Sequence, residues 1–303
     1  MPSHVIVGRG GTASATAVLL AESGDQVRMI SRSGAGPVHP NIERIAADAV
    51  DAPALTELVE GADTIFNAAM PAYHTWPEAV PPLFGAILSA AAQSGANYVM
   101  LGNLYGYGPV DGLLTADTPL AATGPKGRVR AQMWLDAKAA HDAGRVRVTE
   151  VRAGQFLGAG AISMFSLLVQ PKVVAGQLAL VPQDLDLPHA YTAIGDAAAA
   201  LVALARAENA WGRAWLAPTI TSTLREAAER FATVADAPAP RLDVMTDREL
   251  TLLGLTDPFW AELFETQHMS HRKFTVDDSA TRETFGLSAS ALDDVFAEVI
   301  SSS

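Results

Sequence analysis

The sequence predicts an α/β fold built on a doubly wound parallel sheet, with a smaller, mostly helical C-terminal lobe. Short apolar runs alternate with helical stretches through the first half of the chain, which is typical of parallel strands joined by crossover helices. A glycine-rich segment separates the first apolar run from the first helical stretch. After Arg152 the alternation loosens, and proline, glycine and scattered aromatic residues become common.

The predicted strands are short apolar runs, some of them rich in β-branched residues. They cover 5–7, 27–30, 44–46, 64–67, 98–101 and 146–151, and the pattern is weakest at 44–46. The predicted helices cover 13–23, 54–59, 79–94, 129–143, 196–207 and 223–234. The first four of these helices are each followed by a glycine, the residue type that most readily ends a helix: Gly24, Gly61, Gly95 and Gly144.

Composition excludes several classes of function. Hydrophobic residues make up 49 % of the 303 residues and charged residues 18 %, which argues against disorder. The absence of cysteine excludes a disulfide framework, a thiolate metal site and a cysteine nucleophile. The net charge of −12, without a run of lysine or arginine, argues against nucleic acid and membranes as partners. No histidine pair has the helical spacing of a metal site with a nearby carboxylate, so we expect no metal.

The N-terminal residues enter an apolar strand pattern directly, without the basic and hydrophobic regions of a signal peptide. The longest apolar runs are too short to span a bilayer. We therefore expect a cytoplasmic protein whose partner is a small-molecule substrate, and homodimerisation is left open.

Glycines lie where the first predicted strand meets the first predicted helix. The segment 7–13 fits G-x-G-x-x-A, with Gly8, Gly10 and Ala13, and also G-x-x-G, with Gly8 and Gly11. Glycines let the backbone turn sharply and approach a pyrophosphate, and the first amides of the helix then face the phosphates. This position predicts a Rossmann-type dinucleotide site formed by Gly8, Arg9, Gly10, Gly11, Thr12 and Ala13.

The end of the second predicted strand bears on the identity of the dinucleotide. A site for NAD usually places Asp or Glu here to bind the ribose 2′-hydroxyl, whereas this chain has Ser31-Arg32-Ser33. A hydroxyl and a guanidinium suit a 2′-phosphate, and Arg9 adds a second positive charge. The sequence therefore predicts NADP(H), bound by Ser31 and Arg32, in preference to NAD.

The strand–helix alternation and the glycine turn together predict two parts. Residues 1–152, with about 189–217, are expected to form the dinucleotide-binding Rossmann domain. Residues 153–188 and 218–303 are expected to form the substrate-binding lobe.

Motifs spread over most of the chain resemble a known family. Besides the glycine turn they are Asp48 after the third strand, Asn67-Ala68-Ala69, Leu104-Tyr105-Gly106, Arg152 with 154–158, and 188–191 ahead of Asp196-Ala197. Together they resemble the extended short-chain dehydrogenase/reductase family, also called the NAD-dependent epimerase/dehydratase family. The resemblance implies a Rossmann core, with Asp48 near the adenine and 154–156 beside the nicotinamide. The implied cofactor contacts are Asp48, Asn67, Ala68, Ala69, Met70, Gln155 and Phe156.

The resemblance also implies a Ser/Thr and a Tyr-x-x-x-Lys, in which the tyrosine exchanges a proton with the substrate oxygen while hydride passes to or from the nicotinamide. In this chain no tyrosine is followed four residues later by lysine. Counting from Tyr105, the tyrosine position falls near Lys126, the lysine position on Arg130 and the Ser/Thr position near Gly102-Asn103. The chain therefore resembles an atypical branch of the family.

These positions supply the candidate catalytic residues. Lys126 could donate a proton to a substrate oxygen if burial and Arg130 lower its pKa; the alternative is a solvated loop lysine. Arg130 cannot act as a base, and would hold a cofactor ribose or a substrate carboxylate unless it is a solvated helix residue. Tyr105 is either a proton donor or a packing residue beneath the cofactor. The predicted catalytic set is Lys126, Tyr105, Asn103 and Arg130.

The candidate substrate pocket lies on the loop after the fourth predicted strand. Ligands of open α/β sheets bind at the carboxyl ends of the strands, where this loop places Tyr73, His74 and Trp76. Trp260 would join them from the C-terminal lobe. The alternative for all four is ordinary packing.

The leading functional hypothesis is an NADP(H)-dependent oxidoreductase or epimerase-like enzyme that acts on a small, fairly apolar carbonyl or alcohol. Because the Tyr-x-x-x-Lys is missing, two alternatives stay open. One is a non-redox lyase or isomerase on the same fold, and the other is a non-enzymatic sensor that binds NADP.

Overall fold

The computed structural model describes residues 1–302. Its strands, in chain order, are β1 (Ser3–Val7), β2 (Gln26–Ser31), β3 (Ile42–Ala46), β4 (Thr64–Asn67), β5 (Asn97–Asn103), β6 (Val148–Ala153), β7 (Gln155–Leu157), β8 (Leu178–Val181), β9 (His189–Ala193), β10 (Ala214–Leu216), β11 (Ile220–Ser222) and β12 (Arg241–Val244). Its α-helices are α1 (Gly11–Glu22), α2 (Ala52–Leu58), α3 (Trp76–Ser94), α4 (Pro125–Asp142), α5 (Gln170–Val174), α6 (Ile194–Arg206), α7 (Leu224–Val234), α8 (Asp247–Gly254), α9 (Pro258–Ala261), α10 (Gln267–Ser270), α11 (Ser279–Phe285) and α12 (Leu292–Ser301).

Seven parallel strands form the main sheet, in the order β10-β6-β5-β4-β1-β2-β3. From β1 the chain runs outward through β2 and β3, and then crosses to β4 and runs outward the other way. The strand order therefore reverses between β1 and β4, and ligands of open α/β sheets bind in the crevice at such a point. This topology confirms the predicted doubly wound, Rossmann-type sheet.

The central strands of the sheet are buried on both faces, so β1 and β5 are mostly apolar rather than alternating, whereas the edge strand β3 is partly exposed. In β1, Val5 and Val7 pack towards α2, α3 and α4, whereas Ile6 packs on the other face against α1 and α6. All six strands predicted in this half form, including β3, whose sequence pattern is the weakest. Helix α3 begins three residues earlier than predicted and contains Pro81 and Pro82.

The C-terminal part contains small sheets that the sequence does not predict. Strands β7, β9 and β11 form one sheet, and β8 pairs with β12. A third apolar cluster, in which the rings of Phe165, Phe231 and Phe296 contact one another, packs α7 against α12. Of the segment 189–217, α6 packs on α1 and β10 joins the main sheet, whereas β9 pairs with β7 and β11. The proposed division into two domains stays a prediction.

None of the helices in the described part of the chain combines the length and apolarity needed to cross a membrane.

Candidate active site

A cleft of about 480 Å³ lies at the carboxyl end of the main sheet, a volume within the usual range for small-molecule sites. One end is lined by the start of α1, and the floor by the ends of β5 and β6. The C-terminal lobe contributes mainly apolar side chains to the opposite wall: Met164, Phe259, Leu263 and Met269. The cleft therefore joins the glycine turn to the lobe that the sequence assigns to the substrate.

The glycines of the turn have different physical roles. Gly8 has a φ of +125°, and a Cβ there would lie 2.7 Å from the Ala68 carbonyl oxygen. A Cβ on Gly11 would lie 2.6 Å from the Gly160 carbonyl oxygen, whereas a Cβ on Gly10 would meet nothing within 4 Å. Packing therefore requires glycine at positions 8 and 11. Gly10 lines the cleft, so its missing side chain leaves room for a ligand.

The N-terminus of α1 can bind an anion. Gly10 is the N-cap residue, no side chain accepts a hydrogen bond there, and the first turn contains no acidic residue. Residues 10–13 all line the cleft. Because the first amides of a helix lack helical partners and carry the positive end of the dipole, they suit a phosphate. These residues therefore fit the diphosphate of a dinucleotide.

The cofactor residues implied by the resemblance divide into two groups. Ala68, Ala69, Met70, Gln155 and Phe156 line the cleft. Two others, Asn67 and Asp48, are not among the lining residues.

Asn67 is buried, and its Nδ2 donates to the Tyr98 hydroxyl at 2.8 Å while its Oδ1 accepts from the Ala69 amide at 3.3 Å. Asp48 is exposed and accepts from the Val50 amide at 3.1 Å. Asn67 therefore fixes the turn after β4, and Asp48 fixes the turn after β3.

Three of the four predicted catalytic residues meet in the cleft: Asn103, Tyr105 and Arg130. Tyr105 follows β5, and its amide donates to the Asn103 Oδ1 at 3.1 Å. Its hydroxyl accepts a hydrogen bond from the Tyr73 hydroxyl at 3.2 Å. Since Tyr73 is the donor, the proton of Tyr105 stays available for a ligand.

Burial raises the pKa of the Tyr105 phenol, and the hydrogen bond from Tyr73 and the charge of Arg130 offset only part of this rise. The phenol is therefore neutral at physiological pH. In this form it donates a hydrogen bond or a proton and does not act as a base.

Arg130 is almost fully buried in the first turns of α4, and it has spare hydrogen-bond donors. Its Nη2 donates to the Leu101 carbonyl at 2.7 Å and lies 3.6 Å from the Glu150 Oε1. Its Nε and Nη1 have no partner. Buried donors without partners are costly. Because Arg130 also lines the cleft, its positive charge favours an acceptor oxygen there.

A buried charge network extends from Arg130 beneath the cleft. Glu150 accepts from the Arg152 Nε at 2.7 Å, and the Arg152 Nη1 donates to the Tyr107 hydroxyl at 2.6 Å. Two guanidiniums share one carboxylate, so the network carries a net positive charge next to the cleft. Sequence reasoning missed Glu150, although two charged residues spaced i, i+2 in an otherwise apolar strand were a usable signal.

Lys126, the fourth predicted catalytic residue, is fully buried and does not line the cleft. Its ammonium forms ion pairs with Glu262 and Glu265, and it lies 4.9 Å from the centroid of the Tyr73 ring. The alternative of a solvated loop lysine is wrong, as is that of a solvated Arg130. The resemblance assigns Lys126 and Arg130 to one catalytic pair, but only Arg130 lines the cleft.

Two of the four predicted substrate residues line the cleft. Tyr73 and Trp76 pack edge to face with ring centroids 4.9 Å apart. His74 is exposed and lies outside the lining, and Trp260 packs on Phe259, which does line it. The apolar residues of the lobe wall were missed because their short helices have no clear periodicity.

The chain has five tyrosines, and burial raises the pKa of every one of them. We expect a spectrophotometric titration of the folded protein to show no phenolate up to about pH 10, where unfolded tyrosines ionise. Because the unfolded chain loses these protons first, the free energy of unfolding should fall as the pH rises above about 10. A tyrosine that ionised near neutral pH in the folded protein would contradict a neutral Tyr105.

Comparison with known proteins identifies solved structures that have a similar fold. No family model and no curated protein matches the chain. Among solved structures, MoeE5 in complex with UDP-glucuronic acid and NAD has a TM-score of 0.80 and 17 % identity, over 99 % of this chain and 98 % of MoeE5. The dTDP-glucose 4,6-dehydratase of Bacillus anthracis, in complex with NAD, has a TM-score of 0.78 and 13 % identity, over 99 % and 96 %. UDP-glucose 4-epimerase of Thermotoga maritima, with UDP-glucose, has a TM-score of 0.78 and 12 % identity, over 99 % and 97 %.

The prediction of NADP is wrong by this comparison, because MoeE5 and the dehydratase hold NAD. The Ser31 hydroxyl donates to the Ala35 carbonyl at 3.3 Å, and Arg32 and Arg9 are exposed side chains outside the cleft lining. A serine and an arginine at the end of β2 were therefore insufficient evidence for a 2′-phosphate site.

At these identities the likeness establishes the fold alone. It extends over nearly the whole of each chain and includes both the sheet and the C-terminal lobe. The chain therefore has the Rossmann-type fold of the epimerase and dehydratase structures, which confirms, at the level of fold, the resemblance to the extended short-chain dehydrogenase/reductase family.

Proposed function

We propose that the chain is an NAD(H)-dependent oxidoreductase or epimerase-like enzyme that acts on a small, apolar carbonyl or alcohol. One observation carries the proposal: a single cleft contains both the uncapped N-terminus of α1 and the Tyr105–Arg130 pair. The first feature suits a diphosphate, and the second suits the oxygen atoms of a reacting centre. When bound, NAD(H) would accept or supply a hydride.

The lining of the cleft supports an apolar substrate. Among the described residues that line it, Arg130 is the only one with a charged side chain, and the lobe contributes mainly aliphatic, aromatic and methionine side chains, with a few uncharged polar ones. The diphosphate of a sugar nucleotide carries two negative charges, and no cation of the lobe wall is available to it. We therefore favour a substrate without a diphosphate, unlike the sugar nucleotides bound by MoeE5 and the epimerase.

Four polar residues of the cleft have roles in this proposal. The neutral phenol of Tyr105 donates its proton to the substrate oxygen, and Tyr73 holds that phenol in place. Arg130, the charged residue of the cleft lining, attracts an oxygen of the cofactor ribose or of the substrate through its positive charge. Asn103 fixes the backbone of Tyr105. Because the phenol is protonated at neutral pH, it is in the form that reduction of a carbonyl requires, whereas oxidation of an alcohol would require the phenolate.

The proposal is tested by following NADH absorbance, as NADH is consumed with a panel of apolar aldehydes and ketones or formed from NAD+ with UDP-glucose as the comparison. We expect turnover with apolar carbonyls and none with the sugar nucleotide. Turnover with the sugar nucleotide alone would contradict the substrate class. Product formed equally well in the absence of NAD(H) would favour a non-redox isomerase or lyase, and tight NADH binding without turnover would favour a sensor.

A further inference from the structure

The buried ammonium of Lys126 takes no part in the chemistry proposed above. The side chain projects from the first turn of α4, is fully buried and is absent from the cleft lining. Burying a lysine is expensive unless its charge is compensated. The contacts of its ammonium therefore indicate what the residue does.

Two carboxylates from a distant part of the chain compensate this charge. Glu262 and Glu265 both form ion pairs with the Lys126 ammonium, although they lie 136 and 139 residues further along the chain. Their side chains are 31 % and 15 % exposed, so the ion pairs are largely shielded from water. The interaction therefore joins α4 to the C-terminal lobe in a setting where charges interact strongly.

Glu265 makes a second type of contact with the same helix. Its Oε1 accepts from the backbone amides of Lys126 at 2.8 Å and Gly127 at 3.1 Å. The N-cap of α4 is Gly124, which has no side chain to satisfy these amides. A carboxylate from the lobe thus caps an 18-residue helix and also complements its dipole.

The segment held in this way forms part of the cleft. Residues 258–270, here called the wall segment, contribute the lining residues Phe259, Leu263, Thr266 and Met269. The wall segment also has apolar contacts: Leu263 packs with Met245 and Leu250, the Phe259 ring lies 5.2 Å from that of Tyr73, and Met269 joins a cluster with Leu104. The charged contacts are the ones that join it to the N-terminus of α4.

We infer that Lys126 is a positioning residue: with Glu262 and Glu265 it holds the wall segment against α4 and so sets the substrate-facing side of the cleft. The inference rests on the proposed function only for its kinetic consequence. Lys126 stands at the position that the resemblance assigns to a catalytic tyrosine. The inference gives the residue at this position a positioning role instead of a catalytic one. The proton donor of the cleft is then Tyr105, whose partner Tyr73 lies beneath the Lys126 ammonium.

The test compares Lys126→Met and Lys126→Arg with a matched control, Lys138→Met, in the full chain. Lys138 lies on the same helix and pairs with Asp142 at the surface. Hydrogen exchange measured by mass spectrometry should become about tenfold faster in the wall segment of Lys126→Met, because the segment opens locally, and should stay unchanged in Lys138→Met. Lys126→Arg, which keeps the charge, should exchange more slowly than Lys126→Met.

The kinetic readout separates positioning from catalysis. With a carbonyl found in the panel, Lys126→Met should raise KM about tenfold, change kcat less than about threefold and leave NADH affinity unchanged. If Lys126→Met does not fold, Glu265→Ala removes the cap and one carboxylate and should speed exchange in the same segment.

Unchanged hydrogen exchange of the wall segment in both Lys126→Met and Glu265→Ala would overturn the positioning role. A loss of kcat of about a hundredfold in Lys126→Met without a change in KM would overturn it as well. Faster exchange in a protein that turns over no carbonyl would leave the positioning role standing and count against the proposed function.

Discussion

Replacing Gly10 with aspartate is expected to abolish NAD(H) binding while leaving the protein at least as stable as the wild type. Gly10 is the N-cap of α1 with φ −68° and ψ 175°, an extended conformation that an N-cap aspartate also adopts. A Cβ there meets nothing within 4 Å, so the side chain fits without a clash. The new carboxylate would accept the hydrogen bonds of the first amides and repel a diphosphate.

The loss of NADH affinity has two causes, the occupation of the first amides of α1 and the repulsion of the diphosphate. We expect NADH affinity to fall about 10³-fold, which corresponds to about 4 kcal/mol, whereas the free energy of unfolding should rise by a few tenths of a kcal/mol. Calorimetric titration measures the first quantity and denaturant unfolding the second. Gly10→Asn is the matched control, because it offers the same cap without the charge and should weaken binding less.

In Gly10→Asp the free energy of unfolding should rise while the affinity for NADH falls, and this combination identifies a direct effect on the binding site. Gly8→Ala should instead reduce both, since it strains a positive φ and places a Cβ against the Ala68 carbonyl. If Gly10→Asp bound NADH as tightly as the wild type, the start of α1 would not be the diphosphate site.

Replacing Tyr105 with phenylalanine is expected to lower kcat for carbonyl reduction by about 10³-fold, within the range attributed to a general acid. Phenylalanine keeps the ring that packs against Tyr73 and Trp76 and removes only the hydroxyl. NADH affinity and the unfolding midpoint should therefore change little. The measurement is steady-state turnover with the best carbonyl of the panel, together with NADH titration.

Tyr73→Phe is the matched control for this variant. Its hydroxyl donates to that of Tyr105, so its loss should weaken the positioning of the donor and reduce kcat less than about tenfold. Because the pKa of Tyr105 is raised, the wild-type rate should not fall between about pH 6 and 9 from ionisation of this phenol. A larger loss in Tyr73→Phe than in Tyr105→Phe would identify Tyr73 as the proton donor.

The features that could be predicted from the sequence are those determined by neighbouring residues. The glycine turn lies between a strand and a helix in both sequence and structure, and Gly8 and Gly11 are required by contacts that no other residue type allows. The central strands of the main sheet were recognisable because burial on both faces makes them mostly apolar. Asn103, Tyr105 and Arg130 line one cleft because Asn103 ends β5, Tyr105 follows it, and Arg130 lies in the first turns of α4 at the same edge of the sheet, while their catalytic roles stay predictions.

The features that could not be predicted depend on distant partners. Lys126 stands in a glycine-rich loop sequence that suggests exposure, and its burial depends on Glu262 and Glu265, far along the chain. The short strands of the C-terminal part have no periodicity of their own and form only by pairing with one another. Asn67 has the sequence position of a cofactor contact, but its amide is engaged by Tyr98 on the adjacent strand.

The most direct test of this account is a calorimetric titration of the purified wild-type chain, freed of bound nucleotide, with NADH. The account requires the first amides of α1 to receive a diphosphate, and it predicts saturable binding at one site per chain that raises the unfolding temperature. No heat of binding and no thermal stabilisation, even at high concentrations of NADH, would contradict it.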